Sequence, residues 1–146
     1  ALRAVVHLAR IGGGPAAASI IADATSVPAG YLAHVLRSLS KAGMLTAQRG
    51  TGGGFTLARP AGQINVWEVL VASDAGIGRI ESCPLKSGGH GTSLCPLHAC
   101  LDKAIAQVEA IFRQTSIQDL LNATPGAGPL CQVDASVRLR LDPTQS

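Results

Sequence analysis

Three cysteines stand near one another in the second half of this 146-residue chain: Cys83, Cys95 and Cys100, spaced C-x11-C-x4-C, with Cys131 alone near the end. Thiolates are the natural ligands of iron–sulfur clusters, and three in one stretch of a presumed cytosolic protein argue against a structural disulfide. His98 lies one helical turn from Cys95, and His90 is near in sequence; either supplies a candidate fourth ligand. A 2Fe–2S or 4Fe–4S cluster is therefore one expectation. A thiol redox sensor, or another metal such as zinc, is the second. The third is plain packing, because a free cysteine behaves as a small hydrophobe. A helix starting at Cys95-Pro96 puts Cys95 at its N-terminus, where the helix dipole favours negative charge. In such a helix, five steps of 100° set Cys100 about 140° around the axis from Cys95. A cluster shared by both requires the helix to begin later, near Leu101. Asp102 and Glu109 read as exposed helix residues rather than ligands.

A second group of side chains suits a different chemistry. Residues 31–60, YLAHVLRSLSKAGMLTAQRGTGGGFTLARP, read as an amphipathic helix running into a glycine-tipped hairpin. Leu32, Val35, Leu36, Leu39 and Met44 fall near helical spacing. Gly43 is the expected stop. Met44–Ala47 and Phe55–Ala58 are strand-like runs around the tip Gln48–Gly54. This is the reading end of a winged helix-turn-helix, which lays its second helix in the major groove of DNA and its wing on a neighbouring minor groove or the backbone. The candidate DNA contacts are Pro28, Gly30, Tyr31, Ala33, His34, Arg37 and Lys41 on the helix, and Arg49, Gly50 and Thr51 at the tip. Small residues at 30 and 33 permit close approach. His34 can donate to a purine N7 or a phosphate, and Arg37 and Lys41 are spaced to straddle phosphates. Arg49 suits a narrow minor groove, whose negative potential attracts arginine.

Each of these residues also has a plainer reading. His34 could be an ordinary exposed helix residue, and Arg37 with Lys41 a solvated face. Tyr31 reads first as a core or backbone-packing residue, with its hydroxyl in reach of a phosphate. The glycines alone could be linker; their position between two apolar strands and beside Arg49 favours the wing.

Other elements must hold this reading head in place. ALRAVVHLAR at the start is helical in pattern and stops at Gly12-Gly13-Gly14-Pro15. Ser19 is the expected cap of a short helix Ile20–Ala24. Thr25-Ser26-Val27-Pro28 forms the turn, with Pro28 in the first turn of the helix that runs to Lys41. After the wing, Asn65 caps Val66–Ala72, and residues 74–94 read as an irregular loop. A long helix from Cys95-Pro96 carries Leu97, Leu101, Ala104, Ile105, Val108, Ile111 and Phe112 on one stripe, a heptad-like seam suited to a dimer contact. Ser116 caps a last turn, Ile117–Leu121. The expected division is a winged helix-turn-helix over 1–73, a cysteine-containing loop over 74–94, a dimerisation helix and final short helix over 95–122, and a flexible tail over 123–146.

Composition agrees with a mainly α chain carrying one small β-hairpin. Hydrophobic residues make up 47% and aromatics only 3%, which calls for a core of small aliphatic side chains. No apolar run approaches the roughly 20 residues that span a bilayer. No signal peptide is visible, so the expected compartment is the cytoplasm. Residues 1–60 carry six basic residues against Asp23 alone, whereas the remainder carries six against eight acidic. Positive charge thus gathers on the half that holds the reading head, as phosphate contacts require.

The chain resembles the Rrf-two family of winged-helix regulators, of the IscR, NsrR and RirA type. The resemblance rests on ALRAVVHLA, YLAHVLRSLSKAGML, QRGTGGGFTLARP and INVWEVLVASD, followed by cysteines before a long helix, and covers about residues 1–121. It implies a homodimer with crossing long helices that binds a palindromic operator in double-stranded DNA, in many members under control of an iron–sulfur cluster. It implies that Arg49 reads the minor groove and that Gly30, Ala33 and His34 face bases. It also implies several residues before Ala1, including an acidic cluster ligand in some members. Cluster-binding members have two short, similar gaps between their cysteines; here the first gap is stretched. The expected function is a sequence-specific DNA-binding transcriptional regulator acting as a repressor. The rivals are a cofactor-free winged-helix repressor and a winged-helix protein-interaction module. A thiol enzyme is disfavoured, since no Ser–His–Asp or phosphate-loop pattern occurs and Cys95 lacks a Cys-x-x-Cys partner.

Overall fold

The computed structural model describes residues 1–73, 78–82 and 94–123. In order, the chain forms α1 (Leu2–Ile11), α2 (Ala18–Thr25), α3 (Ala29–Lys41), β1 (Leu45–Gln48), β2 (Gly54–Leu57), a 3-10 turn (Ala61–Gln63), α4 (Val66–Ala72), α5 (Pro96–Gln114) and α6 (Ile117–Asn122). The strands form one antiparallel hairpin, in register from Leu45 opposite Leu57 to Gln48 opposite Gly54. The core between the helices is aliphatic, as the composition requires: Val5, Ile21, Leu32, Leu36, Leu39, Ile64, Val69 and Ile117 are fully buried. His7 is buried with them, and neither of its ring nitrogens has a partner among the described residues. Burial, and secondarily the charge of Arg10, lower its pKa, so the neutral imidazole is the form the core holds.

The same device ends α2 and α3. After α3, Gly43 (φ 73°) adopts the left-handed conformation while its N–H donates to Ser40 O and that of Met44 to Leu39 O, both at 3.0 Å. After α2, Ser26 (φ 52°) takes the same conformation, with Ser26 N–H donating to Asp23 O at 3.4 Å and Val27 N–H to Ala22 O at 3.1 Å. These paired bonds satisfy the last carbonyls of each helix and turn the chain sharply. Thr25, expected in the turn, is the last residue of α2. It is buried, with its hydroxyl donating to Ile21 O at 2.6 Å and its carbonyl accepting from Arg3 Nη1 at 3.2 Å. Pro28 sits one place earlier than expected, at the cap position of α3, where its carbonyl accepts from Leu32 N–H at 2.9 Å.

Ser19 is not a cap. α2 begins at Ala18, with Ala17 at the cap position and no side-chain capping bond. The cause is a contact distant in sequence. Ala16 and Phe55 exchange both backbone hydrogen bonds, at 3.1 and 2.9 Å, so the connector lies along β2 and the helix starts directly after it. Each strand also sits one residue from its expected span, because the Met44 N–H is bound back to Leu39 as part of the α3 stop.

This docking explains one glycine of the wing. A Cβ on Gly54 would lie 2.3 Å from Ala16 O and 2.4 Å from its carbonyl carbon. Only a residue without a side chain lets the connector approach β2. Elsewhere, the joint between the two halves of the chain is an antiparallel bridge between Asn65 and Ser116, with Val66 N–H donating to Thr115 O (2.9 Å) and Ile117 N–H to Ile64 O (2.8 Å). Both bridge residues start a helix, and both carry a complete capping box, Asn65 with Glu68 and Ser116 with Asp119.

Gly54→Ala is expected to destabilise the protein by about 1–3 kcal/mol, the usual cost of overpacking. Gly14→Ala, where an added Cβ meets nothing within 4 Å, is expected to stay within about 0.5 kcal/mol of the parent. Urea unfolding of the two variants reads the difference.

Candidate nucleic-acid interface

Helix α3 divides cleanly between two duties. Leu32, Val35, Leu36 and Leu39 are buried on one side. On the opposite side Gly30, His34, Arg37 and Lys41, spaced four, three and four residues apart, form an exposed line along the axis. Ala33 flanks that line and is exposed, as is Pro28 at the lip of the helix. Tyr31 flanks it on the other side and is 63% exposed, so it is not a core residue as its type first indicates. Its position is one step off the buried arc, which leaves the ring facing outward.

The hairpin follows α3 directly. Arg49, Gly50 and Thr51 are exposed at its tip, beyond the last paired residues Gln48 and Gly54. The ion pairs among the described residues are Arg59–Glu68, Arg79–Asp102 and Arg113–Glu109. None of them engages Arg37, Lys41 or Arg49. An exposed helix line and an exposed tip, both basic and both without a competing carboxylate in those pairs, suit an anionic partner.

The cysteine region is described in part. Cys83, His90 and Cys131 lie outside the described residues, as do most of the loop expected over 74–94 and the tail from 124 onward. α5 begins at Pro96 with Cys95 at its cap, not near Leu101, because Pro96 suits the first helical position. Cys95 and Cys100 therefore stand on different sides of the helix. Cys95 Sγ lies 3.0 Å from His98 Nδ1, whereas Cys100 is exposed. Among the described residues no three of His, Cys, Asp and Glu gather as a metal site. The described donors thus do not by themselves make a cluster site.

Asp102 and Glu109 are not simply solvated. Asp102 accepts from Arg79 through Nε (2.6 Å) and Nη2 (2.5 Å), and from Ile80 N–H at 2.9 Å. The Arg79 bond, followed by that of Ile80, draws its pKa down to about 2. Since the folded pKa lies below the ordinary 3.8, this attachment holds above that value and is lost only as pH falls toward 2. It clips residues 79 and 80 onto α5 two turns from Cys95. Glu109 pairs with Arg113, whose guanidinium stands 5.5 Å from the Trp67 ring centroid and so ties α5 to α4. Pairs separated by more than 20 or 40 residues leave no periodic signal, and sequence reasoning missed both ties.

Helix α5 has no fully buried residue. Its apolar stripe splits into two adjacent seams. His98, Asp102, Ile105, Glu109 and Phe112 are half-buried against the rest of the chain, while Leu97, Leu101, Ala104, Val108 and Ile111 are exposed.

Three helices, a tight turn ahead of the third, and a hairpin with an exposed basic tip define a winged helix-turn-helix, the architecture of a DNA-binding regulator. The chain belongs to the Rrf2 family, whose model, described as Iron-dependent Transcriptional regulator, matches residues 1–123. A chain of Aquifex aeolicus classed with the HTH-type transcriptional regulators is 31% identical over 106 residues, covering 70% of this chain and 72% of its own length. The HTH-type transcriptional regulator IscR of Xenorhabdus nematophila is 30% identical over 108 residues, covering 74% of this chain and 65% of that protein. In fold, the structure of CymR, the global cysteine regulator of B. subtilis, superposes with a TM-score of 0.69 at 21% identity, covering 85% of this chain and 92% of that one. The protein is thus a DNA-binding transcriptional regulator and not an enzyme. No helix among the described residues is long and apolar enough to cross a membrane.

Proposed function

We propose that this regulator acts in the cytoplasm as a homodimeric repressor of a palindromic operator. Residues 1–73 read the DNA, 74–94 sense a signal, and 95–122 dimerise. The observation that carries the reading is the exposed line Gly30, His34, Arg37 and Lys41 on α3, opposite the buried face, with Arg49 on the adjoining hairpin. Gly30, Ala33 and His34 meet base edges; Pro28, Tyr31, Arg37 and Lys41 meet backbone; Arg49, with Gly50 and Thr51, enters the minor groove. The exposed seam Leu97, Leu101, Ala104, Val108 and Ile111 supports pairing of two copies through α5, since an apolar stripe of this length on a soluble domain calls for cover.

Control is proposed to run through the sulfur chemistry of Cys83, Cys95 and Cys100, with His98 or His90 as the additional donor. The family's description as iron-dependent supports an iron–sulfur cluster. The separation of Cys95 from Cys100 on α5, and the contact of Cys95 with His98, favour the second reading, in which thiol oxidation is the signal. The third, a repressor without a cofactor, keeps the same DNA interface. In the first two, the spacing of two reading helices about 34 Å apart is the quantity under control, and DNA selects the spacing it binds better.

Arg49→Ala is expected to weaken specific binding by about 1–3 kcal/mol and to relax sequence preference beside the wing, whereas Arg37→Ala lowers the salt dependence by about one unit of slope. Titrations of labelled operator at several salt concentrations check both. Anaerobic purification followed by iron and sulfide assays separates the modes of control. Both elements at cluster stoichiometry support the cluster; an iron-free dimer whose DNA affinity changes on mild oxidation supports the thiol sensor.

A further inference from the structure

We infer that Arg59 is the positioning residue of the wing, and that Glu68 is the post to which it is tied. The inference rests on the reading in which Arg49 contacts DNA. β2 ends at Leu57, and Arg59 follows two residues later, where the hairpin rejoins the body of the protein. Its Nη1 donates to Gln63 O at 3.1 Å, and its Nη2 to Glu68 Oε1 at 3.4 Å. Glu68 is itself held. Its Oε2 accepts from Asn65 N–H at 3.0 Å, and its own N–H donates to Asn65 Oδ1 at 2.9 Å. Asn65 in turn forms the bridge to Ser116 at the foot of α5. The guanidinium therefore connects the base of the wing to the most thoroughly bonded point between the two halves of the chain.

Leverage makes this position matter. From Ala58, bound to Met44 O at 2.9 Å, to the loop beyond Gly54 the hairpin extends four residues, about 14 Å at strand rise. The Ala16–Phe55 bonds hold β2 close to its tip; Arg59 restrains its exit. Loss of the tie at that exit turns the hairpin about the Ala16–Phe55 contact and re-aims Arg49 without lifting the strand off the body. Both side chains are more than a third exposed, and surface pairs of this kind add little to stability. Removing the clamp therefore frees the wing without unfolding the domain.

The test is a set of double-mutant cycles on the full chain, read as affinity for labelled operator DNA. Arg59→Ala and Glu68→Gln are each expected to weaken binding roughly three- to tenfold, within the range of coupled neighbours. Gln at 68 still serves the capping box, so this variant removes the charge that holds Arg59 and keeps the helix start. In either background the effect of Arg49→Ala shrinks by that same roughly three- to tenfold, while Arg37→Ala keeps its full effect and reports an intact reading helix. Loss of affinity in Glu68→Gln is diagnostic, because deleting a negative charge by itself strengthens binding to DNA. If Glu68→Gln binds as well as the parent or better while Arg59→Ala weakens, Arg59 is a phosphate contact and the clamp is wrong. Additive cycles with Arg49 overturn it equally. If Arg49→Ala is silent in the parent protein, the wing does not read DNA, and the earlier reading fails before the clamp is reached.

Discussion

Burial of Leu32, Val35, Leu36 and Leu39 on one side of α3 is the constraint from which the rest of the surface follows. A helix with one face fixed in a core has no freedom to rotate, so the opposite face is determined residue by residue. That is how Gly30, His34, Arg37 and Lys41 come to lie in one exposed line. The stop at Gly43 then converts the orientation of α3 into the orientation of the hairpin. Because the N–H groups of Gly43 and Met44 are both bound back to the helix, β1 leaves at a fixed angle and carries Arg49 with it.

Much of this was legible in the sequence because it is local. Apolar spacing in α3, the glycine after it, and two short apolar runs around a glycine tip each depend on residues within a few positions of one another. The exposed seam of α5 was legible for the same reason, although spacing alone does not divide it into a covered and an uncovered half. What escaped was set by distant contacts. The start of α2 depends on Phe55 holding Ala16, so Ser19, though its type suits a cap, lies inside the helix. Tyr31 carries an apolar ring that suits a core, yet its place on the helix turns it outward. Asp102 and Glu109 look like ordinary helix carboxylates until Arg79, Ile80 and Arg113 are found beside them.

The two halves of the chain share one core, in which Ile117 of α6 is fully buried, and are joined besides by well-made polar contacts. The Asn65–Ser116 bridge joins the start of α4 to the turn after α5, and the Arg113–Trp67 contact adds a second tie. A change in the packing of α5 therefore has a short path to the reading head, through backbone hydrogen bonds rather than through flexible loops. Of the proposed sensing residues, Cys95 lies at the other end of α5, where it meets His98, and the Arg79 clip lies two turns along. On the proposed reading, a signal there acts on the inclination of α5, and the Asn65–Ser116 bridge is the route by which it reaches the wing and α3.

Hydroxyl-radical footprinting of the purified protein on an operator selected from random DNA tests the central claim most directly. The account predicts two symmetry-related protected regions whose centres lie about 34 Å, or a multiple of one helical turn, apart along the duplex. A single asymmetric footprint, or binding with equal affinity to every sequence, would contradict it.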